Sequence, residues 1–147
     1  MTDAHDDPLT ADIVAVGDEG PELIISDLER RDFVKYAGAS GDFHEVHYSE
    51  PFATDAGNPS VFAQGMLTGG FAANMVADWF GLANVTGLGM RFQARVFPGD
   101  TVIVTGEITD VIATEDGADV EADFVATNGD EEIVLSGDAS ASLPASE

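Results

Sequence analysis

Apolar residues follow two different periods along this chain, and the change comes at Gly81. Before it they recur at helical spacing, and after it they alternate. Leu23-Ile24-Ile25 reads as a short strand. Ser26-Asp27-Leu28-Glu29 then has the form of a capping box, with serine as cap and glutamate three residues on. It predicts a helix from about Asp27 to Gly38, with Leu28, Phe33, Val34, Tyr36 and Ala37 on its apolar side. Gly38 to Gly41 ends that helix, and a loop from Asp42 to His47 follows. Ser49-Glu50-Pro51 predicts a second, short helix ending near Gly57-Asn58-Pro59, since proline fits the first turn without losing a hydrogen bond. Gly65 to Phe80 is the longest helical candidate. Met66, Phe71, Ala72, Met75, Val76, Trp79 and Phe80 make it apolar on most sides, and Gly69, Gly70, Ala73 and Ala77 keep it slim. Such a helix needs other structure wrapped around it. Its two glycines weaken it in isolation, and Gly81 is a natural stop.

From Val85 to Phe97, Leu88, Met90, Phe92, Ala94 and Val96 alternate with Gly89, Arg91, Gln93 and Arg95. Phe97-Pro98-Gly99-Asp100 is a turn. Thr101 to Ile112, Ala118 to Thr127 and Glu132 to Leu143 read as further strands, separated at Glu115-Asp116-Gly117 and Asn128-Gly129-Asp130. The last pair has the form of a hairpin. The predicted class is α+β, an antiparallel sheet curled around one long helix. A single domain over residues 11–143 is expected, preceded by a flexible acidic segment at 1–10 and followed by a loose tail.

Composition narrows the setting. The 147 residues are 44% hydrophobic, ample for a core. With no cysteine there is no disulfide, thiolate nucleophile or cysteine metal site. The net charge is −23, with 28 acids against the five bases Arg30, Arg31, Lys35, Arg91 and Arg95. Ordinary hydrophobicity argues against disorder. The charge argues against nucleic acid and anionic membranes as partners. The apolar run from Met66 to Val76 is too short to span a bilayer, so a cytoplasmic protein is expected. Many acids with one lysine resemble the proteins of salt-loving archaea. At molar salt the Debye length falls to about 3 Å and self-repulsion is screened.

The chemistry concentrates in Gly41-Asp42-Phe43-His44-Glu45-Val46-His47. Asp42 and His47 can point into one cavity and together hold and deprotonate a water. Asp42, His44 and His47 could instead supply three metal ligands; no second histidine cluster supports that, and no metal is expected. Taken alone, Asp42 could simply cap the turn after the first helix. Gln64-Gly65-Met66 opens the long helix, where free backbone N–H groups can meet a substrate oxygen. Gly69-Gly70 lacks the pattern of a phosphate loop.

Three stretches carry a resemblance. Tyr36-Ala37-Gly38-Ala39-Ser40-Gly41-Asp42 followed by His47 resembles the Y-A-x-x-S-G-D-x-N-P-x-H motif of the MaoC-like dehydratases and (R)-specific enoyl-CoA hydratases. Ala63-Gln64-Gly65-Met66-Leu67-Thr68 resembles their A-H-G-M-L-T/S stretch. Gly87-Leu88-Gly89-Met90-Arg91-Phe92 and Val96-Phe97-Pro98-Gly99-Asp100-Thr101 resemble their R-F-x-x-P-V-x-x-G-D-T strand. The resemblance implies a hot-dog fold and reversible hydration of a trans-2-enoyl thioester to an (R)-3-hydroxyacyl thioester. It makes Asp42 and His47 the catalytic pair and the Gly65 N–H the oxyanion donor. Substrate contacts are expected at His44, Ser60, Gln64, Met66 and Arg91, His44 being alternatively an exposed residue, and Arg91 and Arg95 share one strand face as cations for CoA phosphates or for nearby acids. The substrate would be an acyl-CoA or acyl-carrier-protein thioester, with no metal or redox cofactor, and the chain would form a homodimer or pair with a related hot-dog subunit. The departures are His44 for the family asparagine, Glu45 for its proline and Gln64 for its histidine. A hot-dog thioesterase and a non-catalytic acyl-thioester-binding subunit are the rival readings.

Overall fold

The computed structural model describes residues 9–147, so most of the expected acidic segment at 1–10 lies outside the described residues. The main elements are β1 (Leu23–Ile25), α1 (Arg30–Ser40), α2 (Glu50–Asp55), α3 (Gly65–Phe80), β2 (Val85–Phe92), β3 (Val102–Thr114), β4 (Gly117–Thr127) and β5 (Ile133–Pro144). The strands form one antiparallel sheet in the order β1-β3-β4-β5-β2. The sheet curls around α3, as the change of period at Gly81 predicts, and the architecture is the hot-dog fold.

The core lies between α3 and the inner face of the sheet. Ala72, Met75, Val76 and Phe80 are buried with Ile108, Val120, Ala122, Phe124, Leu135, Ala139 and Ala141. This contact holds the glycine-bearing helix in place. The outer face has the opposite character. Glu107 stands directly across from Asp123, and Asp123 from Asp138. A bridge adds Glu19 beside Glu107. Four carboxylates therefore share one row on the outer face, and like charges so placed repel.

Two boundaries differ from expectation. α1 begins at Arg30 rather than near Asp27, and its capping box is Glu29 with Asp32 rather than Ser26 with Glu29. The cause is tertiary. The Leu28 N–H donates to the Asp100 carbonyl at 2.9 Å, and the Gly99 N–H donates to the Leu28 carbonyl at 2.7 Å. These bonds clip the segment to the 97–100 turn, and Asp27 takes a left-handed φ of 51°. At the other boundary, β2 stops at Phe92 instead of running to Phe97. The Gln93 and Ala94 N–H groups both donate to the Val134 carbonyl of β5, which breaks the regular ladder, and beyond them the Ala63 N–H captures the Val96 carbonyl at 2.8 Å.

Candidate active site

α1 ends at Gly41, whose φ of 79° is the left-handed conformation that glycine takes without strain. The Ser40 hydroxyl donates to the Tyr36 carbonyl at 2.7 Å and accepts the Asp42 N–H at 3.1 Å. Asp42 is thus fixed just beyond the helix. Its carboxylate accepts the His44 N–H at 3.3 Å, and a 3-10 turn over Glu45–His47 brings His47 back toward it. His47 Nδ1 lies 2.8 Å from the Phe62 carbonyl. A carbonyl can only accept, so Nδ1 carries the proton and, in the neutral ring, Nε2 presents a lone pair. Nε2 is 3.7 Å from Asp42 Oδ2, with the His47 side chain 11% exposed and that of Asp42 45%. Neutral Nε2 and an ionised carboxylate are both acceptors. Their spacing suits one water about 2.8 Å from each, donating a hydrogen to both.

The Phe62 carbonyl that orients His47 belongs to the short segment leading into α3. The Phe62 N–H donates to the Val46 carbonyl at 3.3 Å, and the Phe62 ring meets His47 edge-on with centroids 5.3 Å apart. Gly65 then opens α3. Gln64 provides no side-chain cap there, so the first N–H groups are open at the positive end of the helix. A Cβ on Gly65 would sit 3.3 Å from the Phe92 ring. Glycine keeps that approach narrow but clear.

The other expected residues divide. Met66 is 56% exposed beside Gly65. The Ser60 hydroxyl donates to the Val61 carbonyl at 2.8 Å. His44 turns its ring edge toward Phe52, centroids 5.7 Å apart, and its Nδ1 accepts the Val46 N–H. Asp42, His44 and His47 accordingly do not converge, and no group of three His, Cys, Asp or Glu among the described residues could hold a metal ion. Gln64 is not placed to touch a substrate: it is 1% exposed, and its side-chain amide donates to the Phe33 carbonyl in α1 at 2.8 Å. Arg91 also misses the opening. It alternates with Met90 and Phe92, which face α3, so the pleat sends it to the outer face of the sheet. Arg95 is not on the strand at all; its guanidinium lies 5.0 Å from the centre of the Phe62 ring, next to His47. Sequence reasoning missed Phe62 and Phe92. One lies at the site through a backbone carbonyl and the other through its ring beside Gly65, and neither placement has a sequence signal. Behind the loop, Arg30 pairs with Glu50, and that hydrogen bond holds the Glu50 carboxyl below its ordinary range.

Residues 9–129 match the family described as MaoC like domain. The chain belongs to that family. Among relatives, the enoyl-CoA hydratase ChsH3 of Mycobacterium tuberculosis is 31% identical over 100 residues, which are 66% of this chain and 32% of that one. The chain therefore spans about a third of the length of that relative. The ChsH1–ChsH2 complex of the same bacterium contains a chain 26% identical, with a TM-score of 0.75 over 89% of this chain and 99% of that one. The R-hydratase PhaJ1 of Pseudomonas aeruginosa shares the fold, with a TM-score of 0.81 over 95% of this chain and 88% of that one at 24% identity. The family is thus one of hydratases and dehydratases, and the relatives include enoyl-CoA hydratases at modest identity. No helix among the described residues is long and apolar enough to cross a membrane.

Proposed function

We propose that the chain hydrates trans-2-enoyl thioesters to (R)-3-hydroxyacyl thioesters and catalyses the reverse dehydration. The observation that carries this reading is the spacing of His47 Nε2 and Asp42 Oδ2 at 3.7 Å. It is too wide for a direct bond and right for a shared water. In the forward direction the water oxygen bonds to C3 as the C2–C3 π bond opens toward C2. The water gives up one proton to the pair, and C2 receives one proton from it, so the elements of water are added and the pair is restored. Between these events the thioester oxygen carries negative charge, and the Gly65 N–H at the start of α3 is available to stabilise it. No metal or redox cofactor takes part in this scheme. The carrier is CoA or acyl carrier protein.

A second chain fits the margin of the site. β2 is an edge strand, and Leu88 and Phe92 on its inner face are 42% and 49% exposed although they point toward the helix side. An open edge with apolar residues beside Gly65 favours pairing with another hot-dog chain, a second copy or a related subunit.

Product analysis after incubation with crotonyl-CoA in molar KCl, alone and with a candidate partner chain, tests the reading. (R)-3-hydroxybutyryl-CoA is expected. Free CoA thiol instead would make the chain a thioesterase. Binding without turnover under both conditions would make it a non-catalytic subunit.

A further inference from the structure

We propose that Gln64 is a positioning residue: it ties α1 to the start of α3 and so sets the spacing between the Asp42–His47 pair and the Gly65 N–H. The proposal rests on the hydratase reading for its kinetic consequence and on geometry for the strut itself. Gln64 occupies the cap position of α3. Serine, threonine, aspartate or asparagine is favoured at such a position because its side chain folds back onto the first helical N–H groups. Gln64 does the reverse. Its side-chain amide reaches into the fold and donates to the Phe33 carbonyl at 2.8 Å. Phe33 is fully buried within α1, and the C-terminal end of α1 places Asp42. One buried hydrogen bond therefore links the two elements whose ends form the site.

The second observation is the other half of the amide. Only the NH2 group can donate to the Phe33 carbonyl, so the orientation is fixed and Oε1 must point elsewhere. Gln64 Oε1 is buried and has no hydrogen-bond partner among the described residues. An unpaired buried acceptor is a cost to folding. A position that served packing alone would shed this cost by carrying leucine or methionine. The glutamine is explained by its donor, and the donor serves the spacing of the site.

The test compares wild type with Gln64→Met and Gln64→His. Methionine matches the length and the burial but has neither donor nor acceptor; histidine keeps a ring N–H for the Phe33 carbonyl. Each protein is followed by urea unfolding, by kcat and KM for hydration of crotonyl-CoA, and by hydrogen exchange of backbone amides. Gln64→Met is expected to unfold at the same or a higher urea concentration and to lose about tenfold or more in kcat, in line with the cost of a small misplacement. Its KM is expected to stay within about twofold, and amides 40–43 and 67–69 are expected to exchange faster while the sheet is unchanged. Gln64→His is expected to recover most of the loss. The proposal is overturned if Gln64→Met keeps wild-type kcat, if KM alone rises as for a substrate contact, or if exchange at the two segments is unchanged. A wild type without hydratase activity would defeat the hydratase reading instead, and exchange would then decide the strut on its own. If Gln64→Met does not fold, Gln64→His decides: wild-type exchange and kcat support the strut, and their loss in a folded protein overturns it.

Discussion

The two faces of the sheet are built from the same strands and do opposite things. The inner face is apolar, packed on α3, and has the candidate site at its margin. The outer face carries the row Glu19, Glu107, Asp123 and Asp138 across neighbouring strands. The described ion pairs involve Arg30, Arg31 and His47, none of them with a member of this row. Alternation along each strand separates chemistry from charge, so changes on one face should leave the function of the other intact.

Breaking the inner side should have the largest effect. Asp42→Asn and His47→Ala are each expected to lower kcat by about 10²–10⁴ while urea unfolding in molar KCl changes little, because the first replaces a basic carboxylate with a neutral amide and the second removes the ring that accepts from the same water. Next comes Gly65→Pro. Gly65 is the first residue of α3, where proline fits a helix, and Gln64 before it has an extended φ of −60° and ψ of 136° that proline tolerates. The variant deletes one N–H and keeps the helix but adds a Cβ 3.3 Å from the Phe92 ring, so Gly65→Ala is its control; kcat is expected to fall by about 10²–10³ relative to Gly65→Ala with the far-ultraviolet circular dichroism unchanged.

How much of this was legible from sequence depends on where the cause lies. The bounds of α3 and its stop at Gly81 follow from local pattern, and the structure agrees with them. The start of α1 does not, because the Leu28–Gly99–Asp100 clip joins residues far apart in the chain. The early end of β2 has the same kind of origin in the Ala63–Val96 bond. Asp42, His47 and Gly65 could be singled out because loop chemistry and helix starts leave marks in the sequence. Phe62 could not, since any residue type can offer the carbonyl that orients His47. One continuous strand through Arg95 would set Arg95 on the same face as Arg91, but β2 ends at Phe92. The parity of the pleat gives Arg91 to the outer face, and the bend after Phe92 gives Arg95 to Phe62.

Changing the outer side should have smaller effects, and on stability rather than rate. Asp123 stands between Glu107 and Asp138. Asp123→Asn is expected to raise stability at low salt by about 0.5 kcal/mol, within the range of a cross-strand pair. The gain should vanish in molar KCl as the Debye length shrinks to about 3 Å. Urea unfolding across a salt series measures both, and kcat should not move. The wild type is expected to gain stability along the same series. The smallest effect is expected at Glu50. Its carboxyl is held below the ordinary value by the hydrogen bond from Arg30. The pair therefore contributes above the unfolded-state carboxyl pKa, and its contribution is lost as pH falls through the lower folded value. Glu50→Gln should differ slightly from wild type at neutral pH and match it in acid, as thermal unfolding from neutral to acidic pH would show.

The central claim is that Asp42 and His47 act as one unit on one water. The most direct measurement is kcat for crotonyl-CoA hydration by Asp42→Asn, His47→Ala and the double variant in molar KCl. Groups that act as a unit are strongly non-additive. The expected result is a double variant no slower than the slower single variant, within about threefold. Losses that multiply, or a single variant with wild-type kcat, would contradict the shared water.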